Sequence, residues 1–224
     1  MKKVLFWDFD GTLALPNESF AEALYDALHD QGTAFSMVQA RDILRSVSTW
    51  YRPDDIYPGR TGGSWWSDML GRLESRLNVG HIACDFERLG TDFQNRIISY
   101  HYTLYDDAKD SLIRCSELGY TNYVMSNNFP ELKDTIRRFG LDKYFAGYSI
   151  SAAVGYEKPR IELFRHGLDM AGHPEISYMI GDNPIADIQG GNAAGMKTIL
   201  VHNDCENEAM YVCKTLSEIP ALLE

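Results

Sequence analysis

The sequence has few of the features that mark membrane, secreted or zinc-binding proteins. No apolar run in it approaches the roughly 20 residues that a membrane-spanning helix needs. Its 4 cysteines form no C-x-x-C pair, and its 6 histidines form no H-E-x-x-H cluster. These absences exclude the common zinc spacings and favour reduced thiols over disulfides.

Positive charge is also scarce, because 21 Lys and Arg residues face 32 Asp and Glu residues and leave a net charge of −11. Such a surface repels nucleic-acid backbones and anionic membranes, so we expect no nucleic-acid or membrane partner. An anionic small substrate must then be held by local positive charge. Asp8 interrupts the first apolar run too early for a signal peptide, and we therefore expect a cytoplasmic protein.

The most informative segment runs from Val4 to Leu13 and has the sequence VLFWDFDGTL. An apolar run that ends in two carboxylates and a glycine predicts a buried strand that delivers acids to a sheet edge. In an ideal strand Asp8 and Asp10 share one face while Phe9 turns into the core. Carboxylates this close repel each other unless a cation lies between them, which favours an oxygen-binding metal such as Mg²⁺. The plainer alternative is that Asp before Gly-Thr simply favours a turn.

The next part of the chain has the apolar spacing of amphipathic helices, with no strand pattern between them. Helices are predicted over residues 17–31, capped by Asn17 or Ser19, over 37–48, from a cap at Ser64, and from Asp85.

From about residue 106 the pattern alternates between strands and helices, which predicts a parallel sheet covered on both faces. Strands are predicted over 120–125, 148–150, 178–180 and 198–201, and helices over 130–139, 161–171 and 185–194. The predicted fold class is α/β, a Rossmann-like doubly wound parallel sheet with an inserted all-helical cap domain. The expected domains are residues 1–15 plus 101–224 for the sheet and 16–100 for the helical insertion.

Two later segments carry groups that bind phosphate. One strand stops at Ser126-Asn127-Asn128, whose hydroxyl and amides donate hydrogen bonds to a phosphate oxygen. The same sequence is also a good turn and helix cap. Lys158 precedes Pro159, which restricts its backbone, and a fixed ammonium neutralises charge on a transferring phosphoryl group. Most lysines are simply solvated surface charges.

A further strand ends in Gly181-Asp182, and Asp187 follows at the start of a helix. This placement favours Asp182 as a ligand of a hard metal ion and Asp187 as an acceptor behind it that orients Lys158 or a water. The alternative for Asp187 is a helix cap or an acid at the positive end of a helix.

In order along the chain, these segments resemble the four motifs of the haloacid dehalogenase-like hydrolase superfamily: D-x-D-G-T, Ser after a strand, Lys before Pro, and G-D-x-x-x-x-D. The resemblance spans Val4 to Val201, and the helical insertion lies where that superfamily has its C1-type cap. It favours the phosphatase branch, similar to phosphoglycolate phosphatase and β-phosphoglucomutase, because the dehalogenases lack an acid at the position of Asp10.

The resemblance also implies a role for each motif residue. Asp8 is the expected nucleophile, Asp10 the general acid and base, and Ser126 and Lys158 the phosphoryl binders, with Asn127 as a further donor. The expected Mg²⁺ ligands are Asp8, the main-chain carbonyl of Asp10, and Asp182, with Asp187 in support.

The glycine-rich segment Tyr57–Trp66 is the expected specificity element inside the helical insertion. Arg60 can pair with an anionic end of the substrate, and Trp65 can stack on a sugar or base. The alternatives are a solvated Arg60 and, for Trp66, a core position on the apolar stripe of its helix.

The leading hypothesis is a Mg²⁺-dependent phosphomonoesterase that hydrolyses a small phosphorylated metabolite through an aspartyl-phosphate, as a monomer or homodimer. One alternative is a phosphomutase of the β-phosphoglucomutase type, which returns the phosphoryl group to the substrate. Another is a module that binds phosphate without turnover.

Overall fold

The computed structural model describes residues 2–16, 19–47, 62–99 and 102–224, without the side chains of residues 62–64. Its strands are β1 (Lys3–Trp7), β2 (Ala14–Pro16), β3 (Tyr102–Leu104), β4 (Tyr120–Ser126), β5 (Phe145–Ile150), β6 (Ile176–Gly181), β7 (Lys197–Val201) and β8 (Tyr211–Cys213). Six of them form one parallel sheet in the order β5-β4-β1-β6-β7-β8. Each strand predicted between residues 120 and 201 lies inside an observed strand.

The described residues also form ten α-helices. They are α1 (Phe20–His29), α2 (Met37–Val47), α3 (Gly62–Val79), α4 (Phe86–Ile98), α5 (Ala108–Glu117), α6 (Leu132–Arg138), α7 (Ser151–Val154), α8 (Ile161–Met170), α9 (Gly190–Ala193) and α10 (Ile219–Leu223). A π-helix, Pro184–Gln189, precedes α9. The helix predicted over 185–194 is therefore present, as a π-helical segment followed directly by a short α-helix.

Strand β1 lies in the middle of the sheet and is buried on both faces. Leu5 and Trp7 pack into one apolar cluster, which includes residues of α5, α6 and α10. Val4 and Phe6 pack into a second cluster on the opposite face, which includes residues of α8. Alternate side chains of one strand thus feed two cores. The predicted doubly wound α/β class is confirmed.

The order of the sheet reverses at β1. From this strand the chain continues to β4 and β5 on one side, and then to β6, β7 and β8 on the other. In open parallel sheets the carboxyl ends of the strands beside such a reversal form a crevice that binds ligands. The carboxyl edge of β1 is therefore the first place to look for chemistry.

Helices α1 to α4 lie between β2 and β3 in the sequence. The predicted caps at Ser19 and Asp85 are confirmed, since their side chains accept hydrogen bonds from the main-chain N–H of Glu22 and Arg88. The cap predicted at Ser64 is wrong, because α3 already begins at Gly62.

Strands β2 and β3 were not predicted, because three-residue strands are too short to show a period. They pair antiparallel with Leu15 opposite Thr103, where the chain enters and leaves the helical segment. The assignment of residues 16–100 to a separate domain stays a prediction. In the described part of the chain, no helix has the length and hydropathy needed to cross a membrane.

Candidate active site

Four of the predicted motif residues lie at the carboxyl edge of the sheet. Asp8 follows β1, Ser126 ends β4, and Asp182 follows β6. The parallel register aligns these strand ends, because Trp7 lies opposite both Val124 of β4 and Ile180 of β6. Lys158, from the loop before α8, reaches the same point.

Lys158 is the buried centre of the site. Its Nζ lies 2.9 Å from Oδ1 of Asp8 and 2.6 Å from Oδ1 of Asp187, and it donates to the carbonyl of Met125 at 3.0 Å. Two of its three N–H groups thus have hydrogen-bond acceptors, and the Asp8 carboxylate is an ion-pair partner. Burial acts to lower the pKa of Lys158, but the carboxylates of Asp187 and Asp8 outweigh it and raise the pKa. The ammonium therefore stays charged inside the protein.

Asp187 is fully buried and holds Lys158 from the far side. Its second oxygen accepts a hydrogen bond of 3.0 Å from the main-chain N–H of Asn183, the cap of the π-helix. Gly181 allows this approach, because a Cβ at that position would lie 2.1 Å from the Asp187 carboxyl carbon. Burial raises the pKa of Asp187 to about 7, against the opposing effect of Lys158. Both oxygens of Asp187 thus already have protein partners.

Asp182 faces Asp8 across the turn that follows β1. Thr12 donates to Oδ1 of Asp182 at 3.4 Å, and Asn203 donates to its main-chain oxygen at 2.9 Å. Gly11 has φ +78°, and a Cβ there would lie 2.5 Å from Oδ2 of Asp182. Burial and the charge of Asp8 raise the pKa of Asp182 to about 6. The D-G-T turn therefore needs glycine both for its backbone and for the carboxylate packed against it.

Asp10 lies in the same turn. Burial, followed by the charge of Asp8, raises its pKa to about 7, while the side chains of Tyr102 and Asn128 act to lower it. A carboxyl group with a pKa near neutrality can both give and take a proton at physiological pH. This property suits the acid and base role predicted for Asp10.

The donor set fits a hard divalent cation. Carboxylate oxygens of Asp8, Asp182 and Asp187 lie within 4.8 Å of one another. The two carboxylate oxygens of Asp187 already bond to Lys158 and Asn183. The side chains of Asp8 and Asp182 are therefore left for an ion. Burial first, and the charge of Asp8 after it, raises the pKa of Asp10, Asp182 and Asp187. A hard cation would offset that repulsion between the carboxylates.

Ser126 and Asn127 differ in what their side chains contact. Ser126 is fully buried, and its Oγ has no hydrogen-bond partner among the described residues. Asn127 instead uses both ends of its amide on Lys158: Nδ2 donates to the main-chain oxygen at 2.9 Å, and Oδ1 accepts from the main-chain N–H at 2.7 Å. No sequence pattern signals the contact between Asn127 and Lys158, since it joins positions 31 residues apart.

The predicted specificity segment is described only in part. Arg60 lies outside the described residues. Trp65 and Trp66 are 5% and 6% exposed, so neither presents a free face for stacking in this conformation. Trp66 donates through Nε1 to the carboxylate of Glu131, at 3.1 and 3.0 Å from its two oxygens. The core position weighed for Trp66 is the observed one, but its polar partner was not predicted.

Comparison with known proteins gives consistent matches. A family model described as haloacid dehalogenase-like hydrolase matches residues 2–195. The chain is 32% identical over 216 residues to glyceraldehyde 3-phosphate phosphatase from Methanothermobacter thermautotrophicus, covering 91% of this chain and 87% of the relative. It is 28% identical over 210 residues to haloacid dehalogenase-like hydrolase domain-containing protein 3 from Homo sapiens, covering 89% and 81%. Among solved structures, the HAD-hydrolase YfnB from Bacillus subtilis, bound to magnesium, matches with TM-score 0.70 and 22% identity, over 99% of this chain and 98% of that chain.

Proposed function

The chain belongs to the haloacid dehalogenase-like hydrolase family, and we propose that it is a Mg²⁺-dependent phosphomonoesterase. The observation that carries the proposal is the arrangement at the sheet edge. There the Asp8 carboxylate pairs with buried Lys158 at 2.9 Å, beside Asp10 with its pKa of about 7 and the Ser126 hydroxyl, which has no hydrogen-bond partner among the described residues.

Asp8 is the proposed nucleophile. One of its carboxylate oxygens forms a bond to phosphorus as the bond from phosphorus to the ester oxygen breaks, which leaves an aspartyl-phosphate. Asp10 gives its proton to the departing alkoxide. It then takes a proton from the water that attacks the aspartyl-phosphate, so that inorganic phosphate leaves and both acids return to their starting states.

The remaining residues hold charge in place. Lys158 neutralises charge on the phosphoryl oxygens and orients Asp8, and the Ser126 hydroxyl donates to a phosphoryl oxygen. Asp8, Asp182 and the main-chain carbonyl of Asp10 would hold the Mg²⁺ ion, with Asp187 supporting them through Lys158. When bound, Mg²⁺ supplies the positive charge that lets the phosphate dianion approach this acidic site.

A small phosphorylated metabolite is the proposed substrate class. The relative from Methanothermobacter thermautotrophicus is named as a phosphatase of glyceraldehyde 3-phosphate, which supports a substrate of this size. We place residues 16–100 over the site as a cap, with Arg60 as a proposed contact to the anionic substrate. The net charge of −11 supports the absence of a nucleic-acid or membrane partner. We also propose that the protein is cytoplasmic and that it is a monomer or homodimer.

Phosphate release tests the function directly. The wild type should release inorganic phosphate from p-nitrophenyl phosphate in Mg²⁺, lose activity in EDTA and regain it with excess Mg²⁺. Asp8→Asn should abolish turnover, whereas Asp169→Asn, a change to an exposed carboxylate on α8, should retain it. Full activity of Asp8→Asn would overturn the mechanism. Isomerisation of a hexose phosphate without phosphate release would favour the phosphomutase.

A further inference from the structure

The side chain of Asn127 bonds to the main chain of Lys158 and not to its ammonium group. Its amide oxygen accepts from the Lys158 N–H at 2.7 Å, and its amide nitrogen donates to the Lys158 carbonyl at 2.9 Å. From this geometry we infer that Asn127 is a positioning residue for Lys158. The expected effect of Asn127 on the reaction rate rests on the proposed function, whereas its effect on the position of Lys158 does not.

Lys158 needs such a partner because of where it lies. Residues 156–160 belong to neither a helix nor a strand, so no regular ladder satisfies the main-chain polar groups of Lys158. The residue is only 3% exposed, and a buried N–H or C=O without a partner costs about 1–3 kcal/mol. The amide of Asn127 satisfies both groups at once.

Both ends of Lys158 are therefore fixed to the end of β4. Asn127 holds the main chain, and the carbonyl of Met125 accepts from Nζ at 3.0 Å. Nζ also contacts two carboxylates from other parts of the chain. Asp8 follows β1, and Asp187 lies in the π-helix after β6. Anchoring on β4 sets how far the ammonium extends between them.

This geometry separates two possible roles of Asn127. A direct phosphate ligand needs a free donor, and Nδ2 keeps one N–H beyond the bond to Lys158. Loss of a direct ligand should weaken substrate binding and leave Lys158 in place. Loss of a positioning residue should release Lys158 and slow the chemical step, in which the ammonium meets developing charge.

The first test is the reactivity of Lys158 and needs no enzymatic activity. Wild type, Asn127→Ala and Asn122→Ala would be acetylated with sulfo-N-hydroxysuccinimide acetate, and the rate at Lys158 would be compared by mass spectrometry with that at exposed Lys109. Asn122 is a matched control, because it lies on β4 and its buried amide bonds to the Trp7 side chain on β1 and to Leu112 and Ser116 on α5, rather than to Lys158.

We expect Asn127→Ala to raise the relative acetylation rate of Lys158 about tenfold or more, while Asn122→Ala lowers the melting temperature and leaves Lys158 protected. Protection of Lys158 unchanged in Asn127→Ala would overturn the inference, whatever the enzyme hydrolyses.

The second test divides the kinetic effect. In Asn127→Ala, kcat for p-nitrophenyl phosphate should fall about 10- to 100-fold, the range for residues that orient catalytic groups from behind, with KM changed less than about threefold. A rise in KM with kcat retained would make Asn127 a substrate ligand and refute the positioning role. A wild type without phosphatase activity would refute the proposed function and leave the acetylation result to decide on Asn127.

Discussion

The carboxyl edge of the sheet and the helical segment α1–α4 use polar side chains in opposite ways. At the sheet edge, buried groups bond across long stretches of sequence, as Lys158 does with Asp187 over 29 residues and Thr12 with Asp182 over 170. In the helical segment, many polar bonds are local and exposed, as between Ser19 and Glu22. A substitution at the edge should therefore disturb several partners at once, whereas one among the helices should act alone.

The largest difference is expected for Lys158→Met. It leaves Asp8 and Asp187 buried without their cation, so we expect activity to fall about 1,000-fold or more, with a loss of about 3–5 kcal/mol in the free energy of unfolding at pH 8. The stability loss should be smaller at pH 5, because Lys158 lowers the pKa of Asp187, and without it the carboxyls stay buried by taking up protons. Phosphate release and urea unfolding at both pH values measure this.

Lys109→Met is the control for that prediction. Lys109 is exposed on α5, so its loss should change stability by less than about 0.5 kcal/mol and leave activity intact. Equal effects of the two lysine substitutions would remove the distinction between a bonded sheet edge and a solvated helix face.

Glycine substitutions compare the two regions at matched backbone geometry. Gly11 has φ +78° with Asp182 against it, whereas Gly32 after α1 has φ +74° and open space around it. Gly32→Ala should cost only about 1–2 kcal/mol of left-handed strain. Gly11→Ala should cause the same strain and also displace Asp182. We therefore expect the Mg²⁺ concentration for half-maximal activity to rise about 10- to 100-fold. An unchanged Mg²⁺ requirement would show that Asp182 is not a metal ligand.

Sequence reasoning found three acids of the candidate site from strand ends, and Asp187 from the start of a helix. Asp8, Asp10 and Asp182 follow apolar runs and precede turn residues, a signal contained within ten positions of the chain. The topology then places the ends of parallel strands together. No comparable signal exists for the bond between Asn127 and Lys158 or between Trp66 and Glu131, because each joins positions far apart in sequence with no periodic pattern.

The elements that were missed share a local cause. Strands β2, β3 and β8 have three residues each, fewer than a period-2 pattern needs to show itself. The helix predicted over 185–194 is present, but its π-helical start at residues 184–189 was not predicted, because its apolar spacing is also that of an α-helix. Asn183 caps this start, and its main-chain N–H donates to Asp187.

A smaller effect is expected from pH acting through the acidic cluster. The pKa values of Asp10 and Asp182 are raised from 3.8 to about 7 and about 6. Between about pH 4 and pH 7 the folded chain therefore binds more protons than the unfolded chain, and its stability falls as the pH rises. Mg²⁺ binds the deprotonated carboxylates, so millimolar Mg²⁺ should raise the melting temperature by several degrees at pH 7.5 and by less than about one degree at pH 5.

Asp182→Asn checks the origin of that difference. Without this carboxylate the Mg²⁺ shift at pH 7.5 should shrink towards its value at pH 5, measured by scanning calorimetry. Equal Mg²⁺ shifts at the two pH values in the wild type would mean that the ion does not bind at the acidic cluster.

The smallest predicted effect lies where the two regions meet. Trp66 of α3 is buried and donates to Glu131, the residue before α6, while its ring lies 6.4 Å from that of Phe129. Trp66→Phe keeps an aromatic ring but loses the N–H, which should cost about 1 kcal/mol, or roughly 2–4 °C in melting temperature. Glu131→Gln retains an acceptor and should cost less. If Trp66→Phe instead lowers kcat about tenfold with the melting temperature unchanged, this contact takes part in catalysis, and the contrast between a sheet edge whose groups act together and helices whose groups act alone no longer holds.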